Sequence, residues 1–73
     1  MEKEKATALK NLGTKIKALR EDRGINAHEL SRMLGKTKGY MWEIEAGKVN
    51  VGWWTLLEIC DCLNISMKLL LEE

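Results

Sequence analysis

A chain of 73 residues buries only about 60% of its unfolded surface on folding, which gives it one small core and no room for a separate sensor or catalytic domain. Apolar residues make up 45% and charged residues 32%, with no proline, a composition that excludes disorder, and no apolar run approaches the roughly 20 residues of a membrane span. The net charge of +1 hides an asymmetry: residues 1–48 hold eleven Lys and Arg against seven Asp and Glu, residues 49–73 one against four, so the halves oppose one another in sign.

The chain starts Met1-Glu2-Lys3-Glu4-Lys5, without the apolar segment of a signal peptide, and a cytoplasmic location is expected. Residues 1–8 are expected to form a flexible arm in front of a single domain that spans 1–73. A first helix is expected from about Ala8 to Asp22, with Leu9, Leu12, Ile16 and Leu19 on one face and lysines elsewhere. Gly13 weakens its start. Arg23-Gly24 closes it, and Ile25 packs beneath the entry to the next helix.

Asn26 followed three residues later by Glu29 is a variant of the capping box, so a second helix starts near Ala27. Leu30, Met33 and Leu34 give it a buried stripe, and Ser31 is small enough to let another helix approach. Gly35 reverses the chain. Thr37 is expected to cap a third helix, Lys38 to about Ala46, that buries Met41 and Ile44 and turns Lys38, Gly39, Trp42 and Glu43 outward. Gly47 ends it. Two short amphipathic helices joined by so tight a turn are the pattern of a helix-turn-helix, a device for laying the second helix across a nucleic-acid groove.

The loop Lys48 to Gly52 leads to a fourth helix, about Trp53 to Leu63, with Leu56, Leu57, Ile59, Cys60 and Leu63 as its apolar surface. Asn64 stops it where glycine often stands, and Ser66 caps a last helix, Met67 to Leu71. Its three adjacent leucines cannot all face one core, so part of this end is a partner surface. Cys60 and Cys62 project to opposite sides of their helix and serve as small apolar fillers. With His28 as the one imidazole, on an exposed helix position, no metal site is expected. No catalytic constellation and no phosphate-cradling glycine run are present, so neither enzyme activity nor a cofactor is expected.

The segments L-G-T-K-I-K-A-L-R-E-D-R-G-I-N, E-A-G-K and T-L-L-E-I-C-D-C-L-N-I-S, with the central helix pair between them, resemble the Xre-type helix-turn-helix of lambdoid phage repressors, Cro proteins and many antitoxins. The resemblance covers residues 12 to about 71. It implies an all-α fold, a compact five-helix bundle of the lambda-repressor-like DNA-binding type, with the helix-turn-helix formed by helices 2 and 3. The function it implies is a DNA-binding transcriptional regulator, a repressor that occupies a palindromic operator on double-stranded DNA as a homodimer. The alternative is a protein-interaction module or an antitoxin-like component with a protein partner.

Carried over by position, Thr37, Lys38, Gly39, Trp42 and Glu43 lie nearest the bases, and Lys38 is placed to donate to guanine O6 and N7. Lys36, Tyr40, Lys48 and Asn50 flank them as phosphate contacts. Arg20 and Glu45 occupy the places of the family's structural ion pair. This chain departs from the family at three points. Ala27 stands where a phosphate-reaching glutamine is usual. Glu43 reads a cytosine amino group or penalises wrong sites. Gly39 permits close backbone approach or reflects drift away from base reading. Trp53 falls where the family keeps an aliphatic residue and is expected in the core. Trp42 either touches thymine methyls, anchors a protein partner or packs on a neighbouring helix. Trp54 is either a solvent-facing ring or, with Val51, Met67, Leu70 and Leu71, part of a dimer interface.

Overall fold

In the computed structural model, which describes residues 2–71, five helices form in chain order and no strand occurs among the described residues: α1 (Glu2–Asp22), α2 (Ala27–Met33), α3 (Tyr40–Glu45), α4 (Trp53–Leu63) and α5 (Met67–Leu71). Met1, Glu72 and Glu73 lie outside the described residues. Helix α1, at 21 residues, is about 31 Å long at 1.5 Å per residue and so runs nearly the full 33 Å of the molecule's longest dimension. It starts six residues earlier than expected: the segment expected to be a flexible arm is helical from Glu2. All of residues 2–8 are exposed, so no apolar stripe announces this stretch. Strong helix formers and two acidic residues in the first turn carry it instead.

Four of the helices end in the same way. The residue at φ +70 (Gly24), +71 (Gly35), +74 (Gly47) or +56 (Asn64) turns the chain left-handed. The amide after it then bonds back to a carbonyl of the last turn: Ile25 to Arg20, Lys36 to Ser31, Lys48 to Glu43 and Ile65 to Cys60, at 2.9–3.2 Å. This is the Schellman arrangement, which satisfies carbonyls that the helix end leaves orphaned. Asn64 fills the role as the one non-glycine residue at positive φ among the described residues.

Starts are less uniform. The Asn26 side chain accepts from the Glu29 amide at 2.7 Å and opens α2, and the Ser66 hydroxyl accepts from the Leu69 amide at 3.3 Å and opens α5. Helix α3 has no side-chain cap. Gly39 takes the cap position, so Lys38 and Gly39 belong to the turn rather than to the helix, and Thr37 contributes only its carbonyl, which accepts from the Tyr40 amide at 3.1 Å.

The core is assembled from Ile16 of α1, Leu30 of α2, Met41 and Ile44 of α3, Leu56, Ile59, Cys60 and Leu63 of α4, and Leu70 of α5, all buried. Helix α3 packs between α1 and α2, while α5 folds back on α4 and touches α1. Three expectations about burial are corrected. Met33 is 48% exposed, because Ser31 takes the inward position that faces α3. Trp53 is 59% exposed: it is the first residue of α4 and lies about 70° from the centre of that helix's buried stripe. Leu70, expected at a dimer interface, is 2% exposed and is the residue by which α5 enters the core.

Candidate nucleic-acid interface

Helix α3 is held from both sides by polar bonds made in the core. On the α2 side, the fully buried Ser31 hydroxyl donates to the Ala27 carbonyl at 2.9 Å and accepts from the Met41 amide at 3.0 Å. That amide lies in the first turn of α3, where no intrahelical carbonyl exists to receive it, so one hydroxyl both satisfies the helix start and fixes its distance from α2. On the α1 side, Arg20 donates from Nε and Nη2 to the two carboxylate oxygens of Glu45 at 2.7 and 2.9 Å, and from Nη1 to the Ile25 carbonyl at 2.8 Å. The carboxylate raises the Arg20 pKa above its ordinary value, outweighing the opposing effect of burial. A planar fork on a planar acceptor resists rotation as well as separation.

Backbone contact sets the remaining geometry. A Cβ on Gly13 would lie 2.5 Å from the carbonyl oxygens of both Ile44 and Glu45, so α1 and the end of α3 approach to a distance that any side chain forbids. Gly47 repeats this one turn away: its Cβ would sit 2.8 Å from Lys10 Cα. Neither Gly13's close approach nor Ser31's pair of hydrogen bonds follows from periodicity or capping. A glycine on the apolar face of an otherwise regular helix, between Leu9 and Ile16, was the signal available for the first.

What this leaves outward is a continuous polar and aromatic surface. Lys36, Thr37, Lys38, Trp42, Glu43, Lys48 and Asn50 are all exposed, and Gly39 and Tyr40 are half-buried. Lys36 holds its ammonium 5.5 Å from the centre of the Tyr40 ring, an attraction between a cation and the ring face that gathers these two residues at one edge of α3. Trp42 is 56% exposed and packs into no neighbour's core. Nothing lies within 4 Å of a Cβ built on Gly39, so the space in front of that residue is open.

The second half of the molecule shows a different surface. Trp54 is 72% exposed and Leu71 55%, with Leu69 at 40%; Val51 and Met67 are half-buried against the core. Cys60 and Cys62 are both free, and burial pushes both thiols up from their ordinary pKa. The Cys60 thiol meets the Met67 sulfur at 3.3 Å, which makes it a packing contact between α4 and α5. Among the described residues no group of His, Cys, Asp and Glu has the arrangement of a metal site, and no helix is long and apolar enough to cross a membrane.

A tight turn between α2 and α3, with the second helix braced from behind and bare in front, is the geometry of a helix-turn-helix. The model of the helix-turn-helix domain family matches residues 11–72. The chain belongs to that family. No curated protein matches it. The match takes in all of this helix-turn-helix domain except the first turns of α1.

Proposed function

We propose that this helix-turn-helix domain is a DNA-binding transcriptional regulator, a repressor of the Xre type that occupies a palindromic operator as a homodimer. The observation that carries the reading is the outward face of α3 and its preceding turn: Thr37, Lys38, Trp42 and Glu43 are all exposed while the helix's back is locked to α1 and α2. Lys38 precedes the first helical residue, where an ammonium enters the major groove ahead of the backbone and donates to guanine O6 and N7. Glu43 accepts from a cytosine amino group, and Trp42 offers its ring to thymine methyls. Lys36, Tyr40, Lys48 and Asn50 make phosphate contacts that set register.

Dimerisation uses Trp54, Leu71 and Val51, together with Leu69, and buries an apolar surface that a monomer leaves in water. Two half-sites then lie about one helical turn, ~34 Å, apart on one face of the duplex. Repression is steric, by occupation of a site that polymerase needs. Selection of bound duplexes from a random pool at near-physiological salt, with the mass of the protein in solution measured alongside, tests both parts. A two-fold symmetric motif and a dimer mass are expected, and Lys38→Ala should lose the motif. A pool that shows no enrichment would overturn the reading in favour of a module whose tryptophans bind another protein.

A further inference from the structure

The side chains of three lysines of α1 make none of the contacts described so far. Lys3, Lys10 and Lys17 are seven residues apart and all exposed. Seven residues are two turns, with a drift of only about 20° per step, so the three ammonium groups line one face at intervals of about 10 Å. Thr7 and Thr14 lie between them on the same side, both exposed, and the Thr14 hydroxyl donates back to the Lys10 carbonyl at 3.0 Å. The one acidic residue between positions 3 and 17 is Glu4, about 100° round the helix from Lys3; Glu21 marks the row's far end.

The packing of α1 places this row. Going round the helix, Leu12 and Leu19 face the rest of the core, Ile16 comes next, and Gly13 and Arg20 then meet the carbonyls and carboxylate at the end of α3. The lysine row follows immediately. Gly47, the residue that ends α3, sits against the backbone of Lys10 itself, with the exposed Lys48 beside it. From the side of α3, Glu45 turns to α1, and Trp42 and Ala46 come next round the helix and are exposed. The row therefore borders the outward surface of α3 on one flank, as Lys36 over Tyr40 borders it on the other.

We propose that the Lys3, Lys10 and Lys17 face of α1 is a second phosphate-binding surface, which follows the sugar-phosphate backbone beside the groove that α3 enters. The inference rests on the reading of α3 as the groove-entering helix. Charge and continuity identify the occupant. The face carries cations and, at Thr7, a hydroxyl, both common donors to phosphate oxygens. It has none of the interleaved apolar residues by which a helix settles into a lipid surface, and it adjoins α3. Two of its lysines, Lys3 and Lys10, stand on the first half of α1, so the early start of that helix carries part of the contact.

The test compares the protein with a triple variant, Lys3→Ala, Lys10→Ala and Lys17→Ala, with the corresponding triple change to Arg, and with Lys38→Ala. Affinity for the selected duplex and for a random duplex is measured over a series of salt concentrations. Each phosphate contact contributes about 0.9 to the slope of log affinity on log salt, so the triple alanine variant should lose about 2–3 from that slope for each protomer bound, or about 5 for a homodimer on the selected duplex. It should weaken both duplexes by the same factor and leave the selected motif unchanged, while the arginine variant keeps the slope. An unchanged slope in the alanine variant, with binding lost in Lys38→Ala, would overturn the row and leave α3's role standing. Equal losses in the alanine and arginine variants would mark a structural effect and also overturn it. Absence of duplex binding by the unaltered protein would remove both.

Discussion

At the scale of single residues, a glycine and a serine help to hold α3 in place. Gly13 lies inside a long helix, where replacement by alanine ordinarily stabilises by about 1 kcal/mol. Here the new methyl would meet two carbonyl oxygens at 2.5 Å, and neither belongs to a flexible side chain. Gly13→Ala should therefore destabilise the fold, by about 1–3 kcal/mol through overpacking, which urea unfolding would show as a lower midpoint at unchanged m-value. Ser31→Ala keeps the volume nearly constant but strands the buried Met41 amide, and should cost about 1–3 kcal/mol. Thermal unfolding followed by circular dichroism measures that loss.

At the scale of elements, α3 is only six residues long and has no intrinsic stability as an isolated helix. Its existence depends on what braces it, and the Arg20–Glu45 pair is the strongest brace. Both side chains are more than nine-tenths buried, so Glu45→Ala or Arg20→Ala alone leaves an uncompensated charge and should cost about 3–5 kcal/mol. Arg20→Met with Glu45→Leu should recover much of that loss in a double-mutant comparison, because the desolvation cost of the pair disappears along with its attraction. Stability measured for the two single variants and the double variant decides whether the pair's gain is its attraction or merely the avoidance of a lone charge. The same locking fixes the backbone from which Trp42 and Glu43 project into solvent.

At the scale of the whole molecule, the excess of basic charge and most of the exposed large apolar residues fall in different halves of the chain. The basic half carries α1, α2 and α3; the acidic half carries α4 and α5, where Trp54 and Leu71 stand out into water. Trp54→Lys with Leu71→Lys places cations in the proposed dimer interface, and should halve the mass in solution while leaving the helical content intact. Sedimentation at micromolar concentration reads the first, circular dichroism the second. Affinity for a full operator should fall with it and affinity for a half-site should not, since the α3 face is untouched.

The helix count, the bounds of α4 and α5, the cap at Asn26 and the left-handed stop at Asn64 were legible in the sequence, because capping and chain reversal are decided by residues a few positions apart. So was the arginine and glutamate that close on each other, although only through resemblance to a family. Periodicity did not reveal the first turns of α1, which have no buried face to repeat. Helix α3 starts later than capping chemistry suggests, since Thr37 has the chemistry of a cap but the chain sets Gly39 in that position. Trp53 and Leu70 exchanged their expected places for one reason. Burial depends on which neighbour stands opposite, and a helix pattern reports only that an apolar side exists. Local chemistry thus determined where each helix begins and ends. The close approach at Gly13, the Ser31 bridge and the alignment of the α1 lysines beside α3 were decided by tertiary packing, because each depends on a distance between segments far apart in the chain.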